Sequence, residues 1–156
     1  MLERRVKRRR DGRYALKLDA DERELLRSLP DQLLELLDTN DPVLTRLYPP
    51  AYAGADDVAL EAEYRRLMGS DLEDRHKAAL VTLRDTIDAP FLTEEQMGAW
   101  LAAINELRLV LGTRLDVGEE DSGEVDPTDP RAPTLALYQY LSFLQDQLVE
   151  AATGAL

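Results

Sequence analysis

With one histidine and no cysteine in 156 residues, this chain offers few starting points for chemistry. His76 closes Glu73-Asp74-Arg75-His76, a Glu-x-x-His pattern whose helical spacing can present a carboxylate and an imidazole to one metal of a di-iron bundle. Such a site needs the motif twice, so no metal is expected and His76 reads as a solvated or core-edge residue. General base catalysis by His76 would need a nucleophile and a pocket. The serines, Ser28, Ser70, Ser122 and Ser142, sit in cap, loop or helix contexts without a nucleophile-elbow pattern. The missing cysteine removes thiolate, disulfide and zinc-thiolate chemistry, and no glycine-rich phosphate loop occurs. Glu119, Glu120, Asp121, Glu124 and Asp126 lack the spacing of a calcium-binding hand and read as a solvated run. No catalytic residue, cofactor or metal is expected, and an unrecognised enzyme stands third among the functional readings.

Two arginines pose the sharper question. In "AINELRLVLGTRLDV" they stand among leucines. A wheel at about 100° per residue puts Trp100, Ile104, Leu107 and Leu111 on one stripe, with Arg108 on the flank between Leu101 and Leu115. Ala99, Ala102, Glu106 and Thr113 define the solvent side. A guanidinium on an apolar arc needs a hydrogen-bonding partner. Glu63, between Leu60 and Leu67 in "VALEAEYRRLM", is the first candidate, Asp41 the second, and Asn105 can brace the pair. The expectation is a structural ion pair of Arg108 and Glu63; the second reading is an arginine that binds a ligand or a partner. Arg114 lies beyond Gly112, where the helix should end or loosen, which makes it the better candidate for a functional arginine.

The elements that must position these residues are helical. "RVKRRRDGRYALKL" carries an Asp-Gly pair that predicts a hairpin, and a two-residue turn would set Arg9 and Lys7 opposite Tyr14 and Leu16. Leucines recur at helical spacing over residues 20–38, with Pro30 forcing a kink or restart. Asp41 and Pro42 begin a short helical turn, and Pro49-Pro50 imposes extended backbone before Tyr52. A helix over 56–68 should end near Gly69. Ser70 and Glu73 then read as a capping box for another helix running to about Asp88, and Thr93 and Gln96 as a second box. Pro133 suits the first turn of a last helix whose exposed side would show Tyr140 and Phe143, a surface for a homodimer. The expectation is an all-α, single-domain bundle of five to six helices with a short N-terminal β-hairpin. Residues 1–18 form the basic hairpin and residues 116–133 a mobile acidic loop.

Charge is divided unevenly. The chain carries −12 overall, yet residues 1–17 hold eight Lys and Arg against Glu3 and Asp11, a net +6 that leaves −18 for the rest. A duplex-coating protein would be basic over its whole binding face, so a short cationic contact element fits better. "MLERRVKRRR" is followed by Asp11, Gly12 and Arg13 where a signal peptide needs an apolar segment, and no run of 18 apolar residues can span a bilayer. The expected location is cytoplasmic, without membrane contact.

"DPVLTRLYPPAY", "EYRRL" and "WLAAINELRLVLGTRLDV", followed by an acidic linker and "YQYLSFLQDQLV", resemble an actinobacterial family catalogued as a domain of unknown function. The resemblance covers roughly Leu18 to Val149 and is most specific in the central helix. The family's gene often neighbours that of the Clp protease adaptor, and one branch is regarded as an oxidative-stress regulator that acts on transcription with a sigma-factor partner. That branch is associated with a cysteine pair, so thiol sensing does not carry over to this chain. The matching positions are Asp41, Pro42, Arg46, Leu47, Glu63, Arg65, Asn105, Arg108, Leu109, Gly112, Thr113 and Arg114, none with an attached catalytic role. The resemblance implies a non-enzymatic regulatory protein that binds a sigma factor or other regulator. Arg46, Arg65 and Arg114, or the hairpin's Arg8, Arg9 and Arg10, are its candidate interaction residues. A nucleic-acid-associated factor using Arg4 to Arg13 is the alternative.

Overall fold

The structure, a computed structural model, describes residues 4–39, 41–47, 58–115 and 128–154; within 58–70 the side chains described are those of Ala59, Leu60 and Glu63. The expected extended backbone at Pro49-Pro50 and most of the acidic loop lie outside the described residues.

Strands β1 (Val6–Arg8) and β2 (Tyr14–Leu16) form the expected hairpin, but with a different turn. The Gly12 amide donates to the Arg9 carbonyl at 3.2 Å, the Arg9 amide donates to the Arg13 carbonyl at 2.7 Å, and Gly12 sits at φ +88°. This is a three-residue loop closed by a glycine in the left-handed region, where residues with a Cβ are strained. The partners become Val6 with Leu16 and Arg8 with Tyr14, correcting the pairing of Arg9 and Lys7 with those residues. A one-residue slip exchanges the faces of a strand. Val6 therefore enters the core with Tyr14 and Leu16, while Lys7 stays outside. A strand that the sequence does not signal, β3 (Phe91–Leu92), pairs antiparallel with β2 and completes a three-stranded sheet of order β1-β2-β3.

Pro30 divides the first leucine-rich stretch as expected. Helix α1 (Ala20–Arg27) opens on a capping box of Asp19 and Glu22, and α2 (Pro30–Leu37) begins with the proline in its first turn, where the missing N–H has no helical acceptor to lose. A 3-10 helix, Pro42–Leu47, buries Val43, Leu44 and Leu47. Helix α3 then runs unbroken from Val58 to Asp85. The expected stop at Gly69 and restart at Ser70 do not occur; an interior glycine costs a helix only about 1 kcal/mol. Helix α4 (Glu94–Leu115) starts on the Thr93–Gln96 box, with both reciprocal bonds formed, and passes Gly112 without ending. Helix α5 spans Ala132–Thr153.

Helix α4 is central. It packs against α3 and the 3-10 helix and against α5, and buries Met97, Trp100, Ala103, Ile104, Leu107 and Val110. Helix α2 lies on α3, tied at the rim by Arg84 to Asp31 and Lys77 to Asp38. The fold is thus an all-α bundle of five described helices with a small antiparallel sheet at its N-terminal end. Among the described residues no helix is long and apolar enough to cross a membrane.

Candidate functional site

His76 and Glu106 form a buried polar contact, their side chains only 13% and 6% exposed. His76 continues the apolar stripe of Leu80, Leu83 and Ile87, and Glu106 stands between Ala103 and Val110, so packing of α3 on α4 brings them together. His76 Nδ1 lies 2.6 Å from Glu106 Oε1, and Nε2 lies 3.1 Å from the Leu47 carbonyl oxygen. A carbonyl oxygen only accepts, so Nε2 carries a hydrogen, and one further proton is shared across the short Nδ1–Oε1 contact. The imidazole thereby holds the end of the 3-10 helix against the α3–α4 pair. Burial disfavours its charge, but the bond to Glu106, that group's charge and the Leu47 carbonyl outweigh this and hold His76 above its ordinary 6.5. Burial likewise holds Glu106 above its ordinary 4.5, against the opposing pull of His76. Among the described residues Glu106 Oε2 is buried without a hydrogen-bond partner.

Glu106 is therefore not on the solvent side of its helix; only 5% of it is exposed. The signal was present in its own helix, because one hydrophobic around most of its circumference has no broad polar face to offer. His76 is a core-edge residue, and among the described residues no three potential ligands cluster to hold a metal.

The arginines divide differently from the expectation. Arg108 does not pair with Glu63, which is exposed on α3. It turns to α5, where Nε donates to Ser142 Oγ at 2.9 Å and Nη1 to Gln145 Oε1 at 2.5 Å, with Asn105 Oδ1 at 3.4 Å. Its Cζ lies 5.5 Å from the centre of the Tyr138 ring. The wheel places Arg108 on a flank but cannot say which neighbouring helix faces that flank. Arg114 is exposed in the last turn of α4, and Arg46 is exposed on the 3-10 helix. The side chain of Arg65 lies outside the described ones.

The basic hairpin is anchored rather than loosely attached. Arg5 Nε donates to Glu22 Oε1 at 2.8 Å, its amide donates to Gln147 at 2.9 Å, and Tyr140 donates its hydroxyl hydrogen to Glu22 Oε2 at 2.8 Å. Arg5 also lies over the Phe143 ring, 5.9 Å from its centre. Tyr140 and Phe143 therefore meet the hairpin and are half-buried, which corrects their expected place on an exposed face. Burial, with Glu22 alongside, pushes the Tyr140 hydroxyl far above its ordinary range. On the outer side Arg9 and Arg13 stack on Phe91 at 4.8 and 4.5 Å, and Asp11 lies against both. Lys7, Arg8, Arg10 and Lys17 are exposed around them. Arg23, which nothing in its own neighbourhood singles out, donates to the carbonyls of Leu16, Leu18, Ile87 and Ala89 and so fastens β2 to the end of α3.

This arrangement can fix a cationic surface and a buried proton-sharing pair. The chain is 28% identical over 186 residues to proteins named "Oxidative stress regulator AosR" in Mycobacterium bovis and Mycobacterium tuberculosis, covering 94% of this chain and 85% of theirs. To the "Putative oxidative stress regulator AosR" of Mycobacterium leprae it is 34% identical over 126 residues, 71% of this chain and 58% of that protein. No solved structure matches it. Residues 3–152 match the family described as "Domain of unknown function (DUF2017)", and the chain belongs to that family.

Proposed function

We propose that this chain is a non-enzymatic, single-domain regulatory protein that modulates transcription in a stress response by binding a protein partner through its basic hairpin. The observation that carries this reading is the anchored hairpin. Lys7, Arg9, Arg13 and Lys17 are displayed on a sheet whose other side, Val6, Tyr14 and Leu16, is built into the core, and Arg8 and Arg10 are exposed at its turn end. Such a surface loses little freedom when it meets an acidic partner, and preorganised contacts bind more tightly than flexible ones. The relatives' names support a regulatory role, and a sigma factor or another regulator is the partner class implied by the family resemblance. No thiol switch takes part, because this chain has no cysteine.

The test compares the full chain with a K7E/R8E/R10E variant of equal melting temperature. A regulator that co-purifies with the wild type, rebinds it as a pure protein and is lost from the variant is the expected outcome. Equal binding by the variant would move the surface elsewhere. Stacking of Arg9 and Arg13 on Phe91 also keeps the nucleic-acid reading in view, since cations beside an aromatic ring suit a single strand. That reading requires binding at low salt that falls steeply as salt rises.

A further inference from the structure

Like Arg23, which meets only carbonyl oxygens, and unlike most of the arginines whose partners are described, Arg108 has no carboxylate beside it. Arg4, Arg5, Arg27, Arg84 and Arg131 each meet a carboxylate. Arg108, half-buried between α4 and α5, meets only neutral oxygens, those of Ser142, Asn105 and Gln145. In a chain with 31 carboxylates this full positive charge is left without a counter-charge among the described residues.

The three acceptors occupy Nε and Nη1. They are themselves ordered: Ser142 donates to the Tyr138 carbonyl at 3.0 Å, and Gln145 Nε2 lies 3.4 Å from Asn105 Oδ1. The guanidinium is thus held in one orientation with Nη2 open, and the Tyr138 ring lies against it. Among the described residues neither Nη2 nor the Tyr138 hydroxyl has an acceptor. A fixed, uncompensated guanidinium lying over the ring of a tyrosine with an unused hydroxyl offers the donor chemistry that recognises an oxyanion. We propose that Arg108 and Tyr138 form an oxyanion-binding site on the α4–α5 face, taking a carboxylate or a phosphate monoester. The site is separate from the hairpin and does not depend on the function proposed for it.

The full chain, labelled with ¹⁵N, is titrated at constant ionic strength with inorganic phosphate and, separately, with a blocked tetraglutamate peptide, while the Arg108 Nε–Hε signal is followed by NMR. A saturating shift at Arg108 is expected with at least one of them. Saturation by phosphate alone identifies a free phosphate-type ligand, and saturation by the peptide alone identifies acidic side chains; either supports the site. Tyr138→Phe should weaken binding roughly two- to tenfold, the loss of one hydrogen bond, and Arg108→Gln should abolish it. Because Arg108→Gln also disturbs packing, the wild-type signal and the Tyr138→Phe titration decide the matter alone. No saturation with either probe, or an equal shift at Arg114, overturns the proposal.

Discussion

His76 and Glu106 behave as one unit, and their chemistry gives the most direct predictions. Replacing His76 by Ala leaves a buried carboxyl without its partner and frees the Leu47 carbonyl. Unfolding in urea near neutral pH should show a loss of about 3–5 kcal/mol, and a loss below about 1 kcal/mol would mean that the pair does not clamp the 3-10 helix. The pH dependence follows from the direction of the shift. A folded-state value held above 6.5 means that the folded protein keeps a proton that the unfolded chain releases. Stability from His76 is complete below 6.5 and is lost as pH rises through the raised value, so the melting temperature should fall over that range. Glu106→Gln removes the main partner that raises His76, and a melting profile as steep as wild type in that variant would refute the assignment.

At the scale of elements, two glycines show why residue type has to be read together with backbone geometry. Gly12, at φ +88°, closes the hairpin loop, and Gly12→Ala should cost about 1–2 kcal/mol because a Cβ is strained there despite open space around it. Gly98 lies in α4, and nothing would touch a Cβ added there. Gly98→Ala should therefore stabilise the protein by about 0.5–1 kcal/mol through helix propensity. Denaturant melts of the two variants should move in opposite directions. The hairpin's attachment rests on Glu22, which receives both Arg5 and Tyr140. Glu22→Ala should raise amide exchange in β1 and β2 by at least tenfold while leaving α4 protected, since local openings follow local contacts.

For the whole molecule, charge is arranged as a cationic sheet on an acidic body. The −12 net charge repels acidic partners at long range, whereas the hairpin attracts them locally, so partner binding should be confined to that pole and weaken as salt screens it. Raising ionic strength from about 0.05 to 0.5 M should reduce the association rate with an acidic protein partner several-fold and change the dissociation rate less. A rate constant indifferent to salt would argue against the hairpin as the contact.

The alternation around Tyr14, the leucine periodicities, Pro30 and the Thr93–Gln96 box specified the helices and the hairpin, because these depend on near neighbours along the chain. The absence of cysteine excluded a thiol switch in the same direct way. Local signals did not set the hairpin register, since loops of two and of three residues both suit Asp-Gly and only burial of Val6 separates them. Nor could they join Glu106 to His76, 30 residues away, or turn Arg108 toward Ser142 and Gln145 rather than Glu63. Those pairings follow from which helices flank α4, a choice made by packing apolar stripes over the whole bundle and then inherited by the polar groups between them. Tertiary structure alone decided that the buried carboxylate is Glu106 and that Arg108 meets neutral oxygens rather than a counter-charge among the described residues.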